Sequence, residues 1–289
     1  MNIFSRSLTR IVVLIDRITT HLQNKAQMMY ISIIIPCYNE ENNLRKGKLD
    51  EVHSFLFKQH YSNEVIIVDD GSTDASQSFI QNIIKNKTNF HLYAIPHGGK
   101  PTAIWAGIQK AKGEIILFTD MDQSAPISEI NRLLPWYEQG FDVVIGSRGA
   151  ARKGLSIIRK IGSTIFRNLR SIFLLRNIFD TQCGFKSCFR LAALDIFPHL
   201  QFIKQKKKPK GWKVSAYDVE LLYLFKKAGY RIKEVTVKWK DRDQSDTKSQ
   251  RGDLIRYVHE SIEMAQEVLH VKLNQLKGFY QEVKDKKQV

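Results

Sequence analysis

The triplet Asp120-Met121-Asp122 closes the run Glu114-Ile115-Ile116-Leu117-Phe118-Thr119. Two carboxylates one residue apart offer oxygen ligands to a hard divalent cation, and a cation so held can grip phosphates. The run is short and β-branched, which predicts a buried strand of a parallel sheet. In such sheets ligands bind beyond the carboxyl ends of the strands. An acid-x-acid turn is common after strands, so its meaning rests on its neighbours. Two further apolar runs end in groups of the same kind: Pro36-Cys37-Tyr38-Asn39-Glu40 and Asp69-Asp70-Gly71-Ser72-Thr73-Asp74. Carboxylates brought together repel one another unless a cation or a donor-rich ligand satisfies them. A nucleotide could do both, with base N–H donors for one acid and diphosphate oxygens for a metal held by the pair.

The elements that must position these residues alternate in type. Strands are predicted over 31–35, 64–68, 90–95, 114–119 and 143–145, and helices over 44–57, 72–84 and 101–111, with Ser72, Thr73 or Asp74 as cap of the second. This β-α-β-α order argues for a parallel sheet with helices on both faces. Beyond Gly149 the pattern changes. Ile157, Ile158, Ile161, Ile165, Leu169, Ile172 and Phe173 recur at helical spacing, with Arg159, Lys160, Arg167 and Arg170 over much of the remaining surface. Such a helix either lies on an anionic membrane or covers the sheet. A helix over 219–227 and a strand over 235–239 follow. From Asp253 one long helix carries Leu254, Val258, Ile262, Ala265 and Leu269 on one stripe. Three regions result: an amphipathic helix or start-site extension over 1–29, a main domain over 30–250 and a helical tail over 251–289.

The 289 residues carry 43% hydrophobic and 26% charged side chains, as an ordinary globular protein does, and a formal net charge of +16. That charge implies an anionic partner: nucleic acid, a membrane surface or a phosphorylated substrate. Nucleic acid is not expected, because aromatic residues are not interleaved with the Lys204–Lys210 basic stretch as stacking platforms. No run approaches the ~20 apolar residues of a membrane span. Cys37, Cys183 and Cys188 have no zinc spacing and read as reduced, buried thiols.

Ser32–Glu40, Val68–Asp74 and Asp120–Asp122, in this order and spacing, resemble the family-two glycosyltransferases of the GT-A fold. Ile145–Arg148, Asp180–Lys186 and Tyr217–Leu222 extend the resemblance toward the dolichyl-phosphate glucosyltransferases and other polyprenyl-phosphate glycosyltransferases. The likeness covers about residues 30–250. It implies an α/β GT-A nucleotide-diphospho-sugar transferase fold, with a mostly parallel central sheet flanked by helices. It implies that Pro36, Tyr38, Glu40, Val68 and Asp70 hold the nucleobase and ribose, and that Asp120 and Asp122 hold Mg2+ or Mn2+ on the diphosphate. Arg148, Arg159 and Ser163 would face the acceptor phosphate, and Arg242 and Lys248 would close over the nucleotide diphosphate. One departure stands out. Relatives that use mannose place a metal-binding glutamine two residues past the second acid, where this chain has Ser124; its glutamine is Gln123.

The implied reaction is metal-dependent, inverting transfer of a hexose from a nucleotide diphosphate sugar, UDP-glucose favoured, to a polyprenyl-phosphate lipid. The protein would sit peripherally on the cytoplasmic face of an anionic membrane. A phosphate monoester is largely dianionic at neutral pH and needs positioning more than a base. With a hydroxyl acceptor, Asp218 would instead serve as general base. For a lipid phosphate, Asp218 binds sugar hydroxyls or anchors Lys186.

Overall fold

The computed structural model describes residues 30–149, 175, 178–204, 217–240, 242, 266 and 268–283. Arg159, Ser163, Lys248, the amphipathic stretch over 157–173, the segment 1–29 and most of the stripe beginning at Leu254 lie outside these.

Among the described residues seven strands form one sheet: β1 (Tyr30–Cys37), β2 (Ser62–Asp69), β3 (Phe90–Ala94), β4 (Ile115–Phe118), β5 (Val143–Ser147), β6 (Lys186–Phe189) and β7 (Ile232–Thr236). Among the described residues the helices that position the site are α1 (Glu41–Arg45), α2 (Lys48–Leu56), α3 (Ser76–Ile84), α4 (Lys100–Lys110), α5 (Ile130–Leu133), α6 (Pro135–Glu138), α7 (Arg190–Ile196), α8 (Gln201–Lys204) and α9 (Tyr217–Lys227). The strand order is β3-β2-β1-β4-β6-β5-β7. Only β6 runs against its neighbours β4 and β5.

Strand side chains alternate between the two faces. Ile34, Ile66, Val68, Ile116 and Phe118 face α4, α7 and α9, while Ile33, Ile35, Val65, Ile67 and Leu117 face α1, α2, α3 and α5. Both faces are therefore dry, which is why the strands are apolar throughout rather than alternating. Val268, Val271, Tyr280 and Val283, near the chain's end, join the α9 side of this core.

One polar device is sealed inside. Glu64 is 1% exposed, and its Oε1 accepts from Ser32 Oγ at 2.6 Å and from the Lys112 N–H at 2.7 Å. Ser32 Oγ in turn accepts the Gly113 N–H at 2.8 Å. Glu64→Ala strands these donors, so an unfolding free energy lower by about 2–4 kcal/mol is expected in urea melts. A loss under about 0.5 kcal/mol would remove this role.

The structure revises several boundaries. The predicted helix over 44–57 is two, α1 and α2, because Gly47 between them sits at φ +70°. The helix predicted from Ser72 starts at Ser76, where Asp74 Oδ1 accepts the Ser76 N–H at 2.9 Å. The strand predicted over 235–239 lies at Ile232–Thr236. Strand β6 was not predicted.

Candidate active site

The ends of β1, β2, β4 and β5 and the start of the reversed β6 share one edge of the sheet. The loops after β1 and β2 lock together there. Asn39 adopts φ +54°, a conformation its short polar side chain tolerates. Its Oδ1 accepts the Thr73 N–H at 2.8 Å, and its own N–H donates to Ser72 Oγ at 3.0 Å. The Glu40 N–H donates to Ser76 Oγ at 2.8 Å, and Glu40 Oε2 accepts from Asn43 Nδ2 at 2.6 Å. Pro36 and Val68 are register partners in adjacent strands, both buried.

Asp70, expected at the base, is 1% exposed. Its two oxygens accept the N–H groups of Gly98 and Gly99, each at 2.8 Å. His97 Nδ1 lies 3.0 Å from Oδ2, and the His97 ring stacks on Tyr38 with centroids 4.3 Å apart. Burial raises the Asp70 carboxyl pKa, and the two glycine N–H groups and His97 only partly offset it. Asp70 thus holds the loop that carries His97. Gly99, at φ +89°, completes the turn into α4 and leaves Lys100 as its first residue.

Lys100 is the residue the sequence reading missed. Its side chain is 24% exposed and its ammonium contacts Asp120 Oδ1. Burial opposes its charge, but Asp120, Asp218 and Asp122 outweigh burial and raise its pKa, so it stays cationic. The signal was Gly98-Gly99-Lys100-Pro101, a glycine turn opening a helix with proline in its first turn.

The turn after β4 fixes both acids of the opening triplet. Gln123, at φ +52° and 1% exposed, donates from Nε2 to the Asp120 carbonyl at 2.8 Å. Its Oε1 accepts the Ile127 N–H at 3.0 Å. Both ends of that amide are committed inside the turn, so Gln123 does not replace the missing glutamine ligand. Asp122 accepts from Ser124 twice, at Oδ1 from the N–H (2.8 Å) and at Oδ2 from the hydroxyl (2.7 Å). Gly184 packs against Asp120: a Cβ there would lie 1.9 Å from Asp120 Oδ2.

Among the remaining basic residues, Lys186 is 3% exposed and reaches Asp218 Oδ1 at 2.7 Å and the Cys183 carbonyl at 2.5 Å. Of the readings open for Asp218, anchoring Lys186 is the one this geometry displays. Tyr217 beside it has its pKa pushed up by burial and by Asp218 and Asp120. Arg148 makes a paired contact with Asp180, Nε to Oδ2 and Nη2 to Oδ1, both 2.7 Å. Its guanidinium clamps the loop before β6 in this structure. Arg242 turns its guanidinium toward Glu51 at 3.4 Å. Cys37, Cys183 and Cys188 are free and buried.

An oxygen-only donor set suits Mg2+ or Mn2+. The Lys100 ammonium on Asp120 shows that a cation is favourable there. Among the described residues no group of three His, Cys, Asp or Glu side chains converges as a metal site.

The carboxyl edge of a mostly parallel sheet thus gathers an acid-x-acid turn, Lys100 and Lys186 each paired with an aspartate, and the Tyr38–His97 stack, and the family match identifies the class as a glycosyltransferase. Residues 32–197 match Glycosyl transferase family 2, and the chain belongs to that family. It is 31% identical over 279 residues to the dolichyl-phosphate beta-glucosyltransferase of Saccharomyces cerevisiae, covering 89% of this chain and 78% of that one. The enzyme of the same name from Drosophila melanogaster is 34% identical over 236 residues, with 74% and 68% covered. Among solved structures, glucosyl-3-phosphoglycerate synthase from Mycobacterium tuberculosis, in complex with Mn2+, UDP and glucosyl-3-phosphoglycerate, aligns with a TM-score of 0.56 at 18% identity. It covers 84% of this chain and 80% of its own. Mannosyl-3-phosphoglycerate synthase from Rubrobacter xylanophilus aligns with a TM-score of 0.57 at 17% identity, covering 84% and 74%. These two share the fold.

Proposed function

We propose that the protein transfers glucose from UDP-glucose to a dolichyl-type polyprenyl phosphate, with inversion at the anomeric carbon. The observation that carries this reading is the likeness to dolichyl-phosphate beta-glucosyltransferases over 89% of the chain, set on a site whose acids and lysines suit a diphosphate. In the proposed assignment Pro36, Tyr38, Glu40 and Val68 form the base and ribose pocket, with Asp70 holding its His97 wall. Asp120 and Asp122 would hold Mg2+ or Mn2+, which when bound supplies positive charge against the departing diphosphate. Lys100 adds positive charge at Asp120, and Arg242 and Lys248 would add theirs to the diphosphate, as the resemblance implies. Arg159 and Ser163 would orient the acceptor phosphate by charge-assisted hydrogen bonds, and Arg148, paired with Asp180, has only its remaining N–H groups to offer the same phosphate.

An acceptor phosphate oxygen forms the new bond to the anomeric carbon. The bond from that carbon to the diphosphate breaks on the opposite face, and its electron pair leaves with UDP. No proton need be removed from a dianionic acceptor. The Lys186–Asp218 ion pair supports this reading over a hydroxyl acceptor, because it ties the candidate base to a buried cation. In this assignment residues 30–250 are the transferase domain and 251–289 a helical appendage. The test is a panel of UDP-glucose, GDP-mannose and UDP-N-acetylglucosamine against polyprenyl phosphate, polyprenol and a soluble glycan. Transfer from UDP-glucose to the phosphate alone is expected; transfer to a hydroxyl acceptor would overturn the reading.

A lipid acceptor requires approach to a bilayer, and no helix among the described residues is long and apolar enough to cross one. Residues 268–276 are helical, with Val268 and Val271 in the core. Leu269, Leu273 and Leu276 are exposed by 54%, 47% and 72% at i, i+4 and i+7, one stripe flanked by Lys272 and Lys277. We assign this stripe to an anionic membrane surface, since a second copy would bring a like charge of +16 against it. Leu273→Asp with Leu276→Asp should reduce sedimentation with phosphatidylglycerol vesicles about ten-fold or more. Equal sedimentation, or a dimer that the substitutions dissociate, would remove the assignment.

A further inference from the structure

We propose that Ser124 is a positioning residue that couples the second acid of the triplet, Asp122, to the chain segment carrying Arg242. The inference rests on the role proposed above for Asp122, and Ser124 stands where the mannose-using relatives place a glutamine.

Three facts carry it. The segment after β7 runs beside the turn that follows Asp122 and docks on it through alternate backbone N–H groups. The Lys238 N–H donates to Glu129 Oε2 at 3.0 Å, the Lys240 N–H to the Ser124 carbonyl at 2.9 Å, and the Arg242 N–H to Ser124 Oγ at 3.1 Å. Ser124 is 6% exposed, so little water competes for these bonds. Its hydroxyl has one proton, which it donates to Asp122 Oδ2 at 2.7 Å. With that proton committed, the oxygen is oriented to accept from Arg242. The result is a relay from the Arg242 N–H to Ser124 Oγ and from its O–H to the Asp122 carboxylate. Each bond in such a chain polarises the next.

The consequence is directional. While Asp122 is charged and held in place, its pull on the Ser124 proton strengthens the oxygen as acceptor and draws Arg242 toward the acidic turn. A ligand that fixes the position of the Asp122 carboxylate also fixes the Ser124 hydroxyl bonded to it, and with it the acceptor of the Arg242 N–H. A glutamine at position 124 could not do this: its reach would suit a ligand to the ion, whereas a serine hydroxyl is short enough to stay on Asp122. At position 124 this chain carries a group that ties the acid to the neighbouring segment.

The three docked amides supply their own controls. Ser124→Ala removes the acceptor for Arg242 but leaves the Ser124 carbonyl for Lys240 and Glu129 for Lys238. In amide hydrogen exchange on the full chain, Ser124→Ala should speed exchange at Arg242 about five- to ten-fold, the worth of one ordinary hydrogen bond. Lys238 and Lys240 should stay within two-fold. Mn2+ with UDP should slow exchange at Arg242 in the unsubstituted chain and not in Ser124→Ala, and Ser124→Thr, which keeps the hydroxyl, should restore the response. In turnover, Ser124→Ala should raise the KM for UDP-glucose several-fold with a smaller change in kcat. Unchanged exchange at Arg242, equal loosening at all three amides, or a Thr variant as impaired as Ala would overturn the coupling. The exchange measurement needs no turnover. A failed donor panel would therefore sink the proposed reaction and leave the Ser124 relay to be judged separately.

Discussion

Asp122→Asn should lower glucosyl transfer by about 10³-fold or more while leaving the fold intact. The two halves of this expectation have different causes. Asparagine retains an oxygen that can accept the Ser124 N–H now bound at 2.8 Å, and its amide nitrogen can donate to Ser124 Oγ. The turn can keep its shape, and the melting temperature should move by only about 1–2 °C. What disappears is one negative charge. A neutral amide is a far weaker ligand for a hard cation than a carboxylate, and Asp120 already shares its charge with Lys100. Direct Mn2+ binding should weaken in parallel with activity. Turnover above about one tenth of the unsubstituted rate, with Mn2+ affinity unchanged, would remove Asp122 from the metal assignment.

Gly184→Ala should cost about 10²-fold in kcat through Asp120, with no contact to any substrate. The methyl carbon would lie 1.9 Å from Asp120 Oδ2 and 2.7 Å from its Cγ. Contacts below 3.0 Å do not occur for real Cβ atoms, so the carboxylate or the loop must shift by about 1 Å. A shift of that size changes both its contact with Lys100 and its aim at a ligand. The whole molecule should lose only about 1–3 kcal/mol of stability, as overpacked sites do. Gly113 gives the contrast. A Cβ there would meet the Ser32 backbone nitrogen at 2.5 Å, far along the strands from the acids. Gly113→Ala should therefore lower stability and leave the kcat of the folded fraction unchanged. A Gly184→Ala enzyme with full kcat would show that Asp120 tolerates displacement.

The strands that carry the site were legible because β1, β2 and β4 are runs of Ile, Val and Leu buried on both faces, and each ends in polar groups that chemistry can use. The acids of the three loops were legible for the same reason. Strand β6 was not: Lys186-Ser187-Cys188-Phe189 carries little apolar signal, because Lys186 is satisfied by Asp218 and Ser187 by the Val144 carbonyl. Tertiary partners, not local pattern, make it a strand. Lys100 escaped because helical periodicity reports which face meets the core and says nothing about which residue a glycine turn delivers to the sheet edge. The positions of Asp70 and Arg148 were visible in the sequence, but their partners were not. Gly98, Gly99 and Asp180 stand 28, 29 and 32 residues away from them.

The reversal of β6 has a consequence for how such enzymes diversify. Because β6 runs opposite to β5, the chain leaves the sheet at Arg148 and re-enters it at Lys186 on the same edge. The two ends are stapled at the base by the Arg148–Asp180 pair and by the Gly146 N–H on the Phe185 carbonyl at 2.8 Å. Whatever lies between can lengthen, shorten or change its chemistry without altering the register of any strand. The fold thus leaves the segment between the two staples free to vary while the strands that carry the Asp120–Asp122 turn keep their register.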